Sequence, residues 1–432
     1  MNTPRFVHRL GFALAGLALC AIFASAWFRQ APQPVSPFIL PTAAMAPLSA
    51  PAALNASRFA SSGMEDFVHS AAVAQLPEHG LIAVWFAGTR EGAADVQIRS
   101  ARFDATRGEW SAERVLATRA STQAAVQKHI RKLGNPVIAM SPNQRLWLFY
   151  VSVSIGGWAG SAINAMYSDD LGQTWSAPKQ LVTTPFLNIS TLVRATPVFH
   201  QDGSIGLPVY HEFLGKFAEY LYLNADGEVV DKFRISKGSN SLQPTIVPLN
   251  GKQAVALLRY AGETYHRVLA SRTDDGGQTW SEPYPLEPSN PNSSLAAVGR
   301  PDGGLLVALN DLEDGRFRLS LYGTDAQLRN WQLLSELDES PDPWGLPFDP
   351  EAYRQVIGKA FRSSSGEQLR QQEPQFLEQA QQRMCSAQGC RFEYEYPYFI
   401  RSQDGLYHLV YSWNDMFIKH LSFNEAWIEE RD

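Results

Sequence analysis

SDDLGQTW, residues 168–175, recurs as TDDGGQTW at residues 273–280, and Ser-x-Pro follows both copies. In such a turn an Asp carboxylate can accept backbone N–H groups, the Gly can adopt a positive φ, and the Thr and Trp can fix the loop onto a hairpin. A strand-like run precedes each copy, at 162–167 and at 267–271. Two turns that agree at every defined position indicate a repeated hairpin unit.

Two fainter copies of the turn support the repeat. Each consists of a strand, a polar turn and a Trp, at 98–113 and at 319–331. Propeller blades of four short strands occupy about 40 to 50 residues each. Residues 58–428 therefore have room for six blades and one insertion.

The composition favours one large β domain. The 432 residues include 11 Trp, 15 Tyr and 23 Phe, which suit half-buried pleated surfaces, and 31 Gly and 27 Pro, which suit tight turns. A net charge of -6 without a clustered basic face argues against a nucleic-acid partner. We predict an all-β, six-bladed β-propeller over residues 58–432.

The N-terminal residues 1–29 form a separate export segment. Arg5 and Arg9 precede an apolar run at 10–28, and an A-x-A-like cleavage site stands at 24–26. With about 19 apolar residues, the run is also long enough to remain as a membrane anchor. A Pro- and Ala-rich linker at 30–57 favours retention, because an anchored domain needs a spacer. We expect export to the periplasmic, extracytoplasmic side of the membrane, either with a cleaved signal peptide or with this helix as an anchor.

Residues 339–391 interrupt the β pattern. Their composition, rich in Gln and Glu, predicts a small helical insertion between two propeller strands. The insertion is either a lid over the active face or a packing element on the outer rim. Its Cys385 and Cys390 are expected to form a local disulfide in an oxidising compartment; the alternative, a metal site, lacks nearby ligands.

An ordered series of motifs resembles the BNR-repeat, sialidase-like (neuraminidase) family. The two repeated turns match its Asp-boxes, and further motifs follow in order: HSA at 69–71, WFAGTREG at 85–92, GNPV at 134–137, QPT at 243–245, NPNS at 290–293 and YEYP at 394–397. The resemblance covers most of the chain, although the insertion has no counterpart. It implies a propeller that binds a terminal acidic sugar of a glycan.

Members of that family hold the sugar carboxylate with three arginines, whose guanidinium groups match a carboxylate in geometry. The resemblance implies Arg259 and Arg318 as the second and third of these, although either could be a surface residue that ends a strand. His69 stands where the first arginine is expected. It is an anion binder when protonated, an acid/base, or a packed core histidine.

The family also uses an Asp as acid/base and a Tyr, paired with a Glu, as nucleophile. Arg90 stands where the family carries Glu-Gly-Arg, and Asp95 falls in the loop that carries the acid/base; an ordinary turn Asp is the alternative. Tyr396 or Tyr394 is the expected nucleophile, with packing of the last blade as the other reading.

The glutamate that should assist this tyrosine is missing from its place. Gln243 stands there, and an amide can hydrogen-bond a phenol but cannot take its proton. Glu212, Glu219 or Glu395 could substitute from elsewhere. Arg194 is expected to add positive charge to the same face.

The leading hypothesis is an exported, membrane-tethered exo-glycoside hydrolase of sialidase type. Its partner would be an acidic glycan, and its chemistry requires no cofactor and no metal. Two alternatives use the same residues: a non-catalytic glycan-binding propeller, and an acidic-polysaccharide lyase with His69 and a Tyr as base and acid. The sequence has no G-x-S-x-G elbow, P-loop, H-E-x-x-H or Rossmann glycine pattern.

Overall fold

The computed structural model describes residues 4–29, 35–40, 52–64, 66–184 and 188–431. It divides into two compact units, residues 1–36 and residues 37–432. The first unit contains helix α1 (Pro4–Arg29). Among the described residues, no helix combines the length and the apolar character needed to cross a membrane. Much of the predicted linker, 30–57, lies outside the described residues.

Six antiparallel sheets, here called blades I to VI in chain order, make up the second unit. Its first strand, β1 (Asn55–Phe59), belongs to blade VI. Blade I contains β2 (Phe67–Gln75), β3 (Leu81–Gly88), β4 (Gln97–Asp104), β5 (Glu109–Trp110) and β6 (Arg114–Thr118). After helix α2 (Arg119–Val126), blade II contains β7 (Lys132–Met140), β8 (Leu146–Val153), β9 (Ser161–Ser168) and β10 (Lys179–Gln180), with a 3-10 turn at Trp158–Gly160.

The next three blades differ mainly in the short strands at their start. Blade III contains β11 (Leu192–Val193), β12 (Val198–Phe199), β13 (Ile205–His211), β14 (Phe217–Leu223) and β15 (Val229–Arg234). Blade IV contains β16 (Ser241–Pro248), β17 (Ala254–Tyr260), β18 (Arg267–Thr273) and β19 (Tyr284–Ser289). Blade V contains β20 (Ala296–Gly299), β21 (Leu305–Leu309), β22 (Arg318–Thr324) and β23 (Trp331–Glu339).

A helical segment separates blades V and VI, within the predicted insertion. It contains α3 (Pro350–Ser364), α4 (Glu367–Arg370), α5 (Glu373–Met384) and a hairpin of β24 (Cys385–Ser386) and β25 (Gly389–Cys390), closed by the Cys385–Cys390 disulfide. Blade VI then contains β26 (Tyr394–Arg401), β27 (Tyr407–Trp413) and β28 (Phe417–Phe423), and α6 (Glu425–Glu429) follows.

The helical segment packs on blade VI through aromatic side chains. Phe361 and Phe376 stack at a centroid distance of 4.1 Å. Phe361 lies 5.9 Å from Phe59 of β1, and Phe376 lies 6.0 Å from Trp413 of β27. The helical segment thus packs on blade VI, and Arg383 of α5 also donates to the backbone carbonyl of Asp415 at 2.8 Å.

The innermost strands of the blades form a closed ring. Strand β2 contacts β7 on one side and β26 on the other, and the contacts continue through β11, β13, β16 and β20. Strand β1 completes blade VI by pairing with β28, from Asn55 opposite Phe423 to Phe59 opposite Lys419. The predicted six-bladed, all-β propeller is therefore confirmed.

The two repeated turns adopt the geometry that their letters predict. The Asp170 carboxylate accepts the backbone N–H of Thr174 at 2.8 Å and its hydroxyl at 2.6 Å. Asp275 does the same with Thr279, at 2.9 Å and 2.6 Å. These hydrogen bonds lower the pKa of Asp170 to about 2, and the bond from the Thr174 hydroxyl has the largest effect.

A repeated bulge marks the innermost strands of blades I, II, IV and VI. In each the pairing register shifts near the start of the strand. A non-glycine residue with positive φ stands at each shift: Ser70 (55°), Asn135 (45°), Gln243 (48°) and Tyr396 (55°). A bulge redirects side chains out of the regular alternation. Because each bulge lies near the start of an innermost strand, the four bulges lie at the same end of the ring.

Candidate functional site

Tyr396 lies where side chains from five blades converge. Its hydroxyl is 3.5 Å from Nη1 of Arg259, the second-last residue of β17 in blade IV. The guanidinium of Arg316, in the loop before β22 of blade V, is 5.8 Å from the centre of its ring. That of Arg194, after β11 of blade III, is 5.2 Å away. The ring of His69, from β2 of blade I, lies 4.4 Å away in an edge arrangement.

His69 is fixed by two carboxylates. Its Nδ1 is 3.2 Å from Oδ1 of Asp415 and 3.5 Å from Oε1 of Glu395. Burial alone would lower the pKa of His69, but the hydrogen bond with Asp415 and the nearby negative charge outweigh burial and raise it. The raised pKa favours the protonated imidazolium more than in a free histidine, and that form would place a cation where the family pattern has an arginine.

The surrounding cations change the acidity of Tyr396. Burial raises the pKa of this phenol, but the charges of Arg259, His69 and Arg316 together hold it below its ordinary value. The phenolate, the nucleophilic form, is thus easier to reach than in a free tyrosine. We call Tyr396 and these three cations the Tyr396 cluster.

Amide side chains hold Arg259 of the cluster in place. Its Nε donates to Oδ1 of Asn292 at 2.7 Å, and its Nη1 donates to Oε1 of Gln243 at 3.3 Å. Gln243 in turn donates to the hydroxyl of Tyr210 at 3.4 Å, and Asn135 donates to the same hydroxyl at 3.2 Å. The side chains at the bulges of blades II and IV thus form a hydrogen-bonded polar layer next to the Arg259 guanidinium.

The second arginine of the cluster, Arg316, pairs with the buried carboxylate of Glu395. Glu395, Asp415 and His69 bring one potential metal-ligand atom each within 4.8 Å of one another. Arg316 already neutralises Glu395, and His69 shares a hydrogen bond with Asp415. The group is accordingly assigned as an ion-pair network.

A second polar group lies around Glu91 and Glu212, on loops of blades I and III. The charge of Glu91 reaches His69, Tyr396, Lys132 and Glu212, since it alters the pKa of all four. Burial raises the pKa of Glu212, although Arg259 opposes it. The ammonium of Lys132 lies 3.7 Å from the ring centre of Trp158.

Comparison with known proteins identifies the family of this propeller. The family model of BNR repeat-like domains matches residues 79–409. The chain belongs to the BNR repeat-like family. Sequence comparison with curated proteins finds no match.

Solved structures similar to this BNR repeat-like chain include several sialidases, at low sequence identity. The Hadza microbial sialidase Hz136 has a TM-score of 0.59 and 14% identity over 82% of this chain and 65% of its own, so the chain spans about two thirds of that protein. The intramolecular trans-sialidase from Ruminococcus gnavus gives 0.58 and 13% over 86% and 97%. The Trypanosoma rangeli sialidase gives 0.61 and 12% over 88% and 61%. At these identities the likeness establishes the fold alone.

The BNR repeat-like propeller brings together only part of the predicted site. His69, Gln243, Arg259, Glu395 and Tyr396 lie at or beside the cluster, as described above. Arg194 is there too, but it is only 2% exposed and lies beneath the tyrosine rather than facing a ligand.

Other predicted residues lie elsewhere. Arg318 points along blade V, where its Nε donates to Asp311 at 2.8 Å. Tyr394 is 3% exposed and packs in the core of blade VI, whereas Tyr396 lies at the cluster. Glu219 is buried in an ion pair with His211, at 2.6 Å.

The loop that was predicted to carry the acid/base contains Arg90, Glu91 and Asp95. The Asp95 carboxylate accepts the backbone N–H and the hydroxyl of Thr89, both at 3.0 Å, within the same loop. Arg90 is exposed on the same loop. Glu91, between them, is the residue of this loop whose charge reaches the cluster.

Sequence reasoning missed two members of the site. Arg316 lies two residues before Arg318, and only the path of the loop decides which of them turns inward. Asp415 lies in the tight turn between β27 and β28, with a φ of 54°. An acidic residue in a polar turn carries no signal of its contact with a histidine 346 residues away.

Proposed function

We propose that the protein is an exo-acting glycoside hydrolase of sialidase type, which removes a terminal acidic sugar from a glycan. The observation that carries the proposal is the convergence of Arg259, Arg316 and His69 on the hydroxyl-bearing ring of Tyr396. A fold shared with sialidases is consistent with it. Sialic acid is the first candidate sugar, because the neighbours named above include sialidases.

Arg259 and Arg316 would bind the sugar carboxylate. Both guanidinium groups flank Tyr396, and each is held by a neighbouring side chain, so their orientation needs little ordering upon binding. His69 would add a third positive charge. A substrate carboxylate would then lie beside the phenol that attacks the adjacent anomeric carbon.

Tyr396 would act as the nucleophile. The phenolate oxygen of Tyr396 bonds to the anomeric carbon as the glycosidic bond breaks, and the departing oxygen takes a proton from the Glu91 carboxyl group, which must first bind that proton from solvent. Water then attacks the same carbon, Glu91 takes a proton from that water, and the phenolate leaves. Both residues return to their starting states.

Glu91 takes the acid/base role in this scheme in place of Asp95. Glu91 is exposed on the same loop, and its negative charge is the smallest of the named influences on the pKa of His69 and of Tyr396, whereas both oxygens of Asp95 accept hydrogen bonds from Thr89. Export to the extracytoplasmic side and tethering by residues 1–29 belong to the proposal on the strength of the N-terminal sequence alone.

The test is hydrolysis of a fluorogenic sialoside, together with a panel of uronic-acid glycans. We expect Tyr396→Phe and Arg259→Ala to lower kcat/KM by about 100-fold or more. Tyr394→Phe is the matched control, and it should retain activity because that ring only packs. Glu91→Gln should reduce kcat by about 100-fold, and Asp95→Asn by much less.

Other products would contradict the proposal. An unsaturated sugar would indicate a lyase, and saturable binding without product would indicate a glycan-binding propeller. Equal activities of Tyr396→Phe and Tyr394→Phe would remove Tyr396 from the mechanism.

A further inference from the structure

Arg194 is a buried cation whose charge is not balanced by an acid. It is 2% exposed, and within the described residues no carboxylate forms an ion pair with it. Its Nε is buried without a hydrogen-bond partner among those residues. Burial lowers the pKa of Arg194 to about 10, so the guanidinium remains charged at neutral pH. Removal of an ion from water is unfavourable unless the protein compensates for it.

The compensation comes from the segment that carries Tyr396. Nη2 of Arg194 donates to the carbonyl oxygen of Tyr396 and, at 3.1 Å, to that of Pro397. The guanidinium also lies 5.2 Å from the ring centre of Tyr396 and 5.9 Å from that of Tyr398. Cations are attracted to such ring faces, more strongly where water is excluded.

Tyr396 needs such support because its backbone is strained. Its φ is 55°, a region that residues with a Cβ adopt rarely. The register of β26 and β27 shifts at this point, so the regular ladder does not hold the residue. Strained conformations of this kind persist only where their surroundings fix them.

We propose that Arg194 is a positioning residue for Tyr396, which fixes the bulge through two carbonyl groups and places a positive charge beneath the phenol ring. The proposal rests on the proposed nucleophilic role of Tyr396. It gives a specific role to the positive charge that Arg194 was expected to add to this face, and that role is indirect because a side chain with 2% exposure offers no donor to a sugar. Without this clamp the phenol would leave the reach of Arg259, and its anion would lose a stabilising charge.

Two variants separate the clamp from the charge. Arg194→Met removes both, and Arg194→Lys keeps a charge but cannot reproduce the planar fork. Arg401→Met is the matched control: Arg401 is the last residue of β26, at the end of the strand away from Tyr396, lies 5.8 Å from the Tyr407 ring and has a buried Nε without a partner among the described residues.

The first measurement is the ultraviolet titration of Tyr396, obtained as the difference between each protein and the same protein with Tyr396→Phe. We expect Arg194→Met to move this titration to higher pH by about one unit or more. Arg401→Met should leave it in place. The readout does not depend on turnover, so it decides the positioning role even if no sugar is hydrolysed.

The second measurement is kinetic. We expect Arg194→Met and Arg194→Lys to lower kcat by about 100-fold, since small displacements of a reacting group have effects of that size, with KM changed less than about threefold. A loss of thermal stability with an unchanged Tyr396 titration and unchanged kcat would show a merely structural role and overturn the proposal. If Arg194→Met does not fold, Arg194→Lys decides, and wild-type values for it would overturn the proposal as well.

Discussion

His69 and Tyr396 show how single residues acquire unusual acidity in this propeller. The two rings touch, yet the pKa of the histidine is raised and that of the tyrosine is lowered. The hydrogen bond and the charge of Asp415 raise the pKa of His69, and the charges of Arg259 and of His69 itself lower the pKa of Tyr396. Each residue thus favours the charged form of the other, which is the state that a nucleophilic phenolate beside an anion-binding cation requires.

The raised pKa of His69 predicts a pH-dependent stability. A group whose pKa is higher in the folded state stabilises the fold fully below its unfolded-state pKa, about 6.5, and this contribution is lost as the pH rises through the folded-state pKa. The difference in free energy of unfolding between wild type and His69→Gln should therefore shrink as the pH increases above about 6.5 and through the raised folded-state pKa of His69. Urea unfolding at a series of pH values measures it.

His79→Gln provides the comparison for that experiment. The His79 side chain is 65% exposed, although its Nδ1 lies 2.8 Å from Asp404. An exposed pair of this kind contributes little, so the variant should follow wild type at every pH. If His69→Gln also ran parallel to wild type, the Asp415 contact would not control the protonation of His69.

At the residue scale, the sequence could predict the types of side chain at the site better than their positions. It placed a cation at Arg259 and a tyrosine at 394 or 396, because the surrounding motifs fix the strands. It could not separate Arg316 from Arg318, because loop paths depend on packing and not on local pattern. It pointed to Asp95 alone among the acids of its loop, although local pattern does not distinguish Asp95 from Glu91.

At the scale of elements, the Asp-box turns and the inner-strand bulges lie at opposite ends of the ring and have different structural roles. The turn at 273–280 connects the third and fourth strands of blade IV, at the end of the ring away from Tyr396. The bulges lie at the other end and direct side chains inward. The turns were predictable because their letters repeat, whereas a bulge with positive φ at a Gln or a Tyr has no sequence signature of its own.

Gly277 of the second Asp-box should be intolerant of any side chain. Its φ is 97°, and a Cβ added there would lie 2.9 Å from Cε1 of the buried Tyr220. Gly277→Ala should therefore lose about 1–2 kcal/mol from the backbone and a further 1–3 kcal/mol from overpacking. Thermal and urea unfolding measure the loss, and kcat per folded molecule should not change.

Gly303 supplies the matched substitution, because its φ is 89° and an added Cβ would meet nothing within 4 Å. Gly303→Ala should lose only the backbone contribution, about 1–2 kcal/mol. Equal losses in the two variants would mean that contact with Tyr220 does not limit the turn.

For the molecule as a whole, closure of the ring and assembly of the site depend on each other. The Tyr396 cluster draws His69 from blade I, Arg259 from blade IV, Arg316 from blade V and the tyrosine from blade VI. The contact between His69 and Asp415 joins the first blade to the last, and these two residues are 346 positions apart in the sequence. An open ring could keep most of its strands and still lose this contact.

Strand β1 therefore decides whether the site forms. It pairs with β28 along five residues, and Phe59 packs 4.6 Å from Phe417 and 5.1 Å from Trp413. A protein that begins at residue 60 lacks these contacts and leaves the edge of β28 open. We expect it to melt about 4–6 °C or more below a protein that begins at residue 37, because the loss of a buried Phe alone is worth about 3–5 kcal/mol and each kcal/mol lowers the melting temperature of a domain of this size by roughly 1 °C. Its kcat per soluble molecule should fall together with its melting temperature, since the same junction positions His69. Calorimetry and sialoside turnover on the two proteins measure both quantities; full activity in the shorter one would show that blade VI closes the ring without its N-terminal strand.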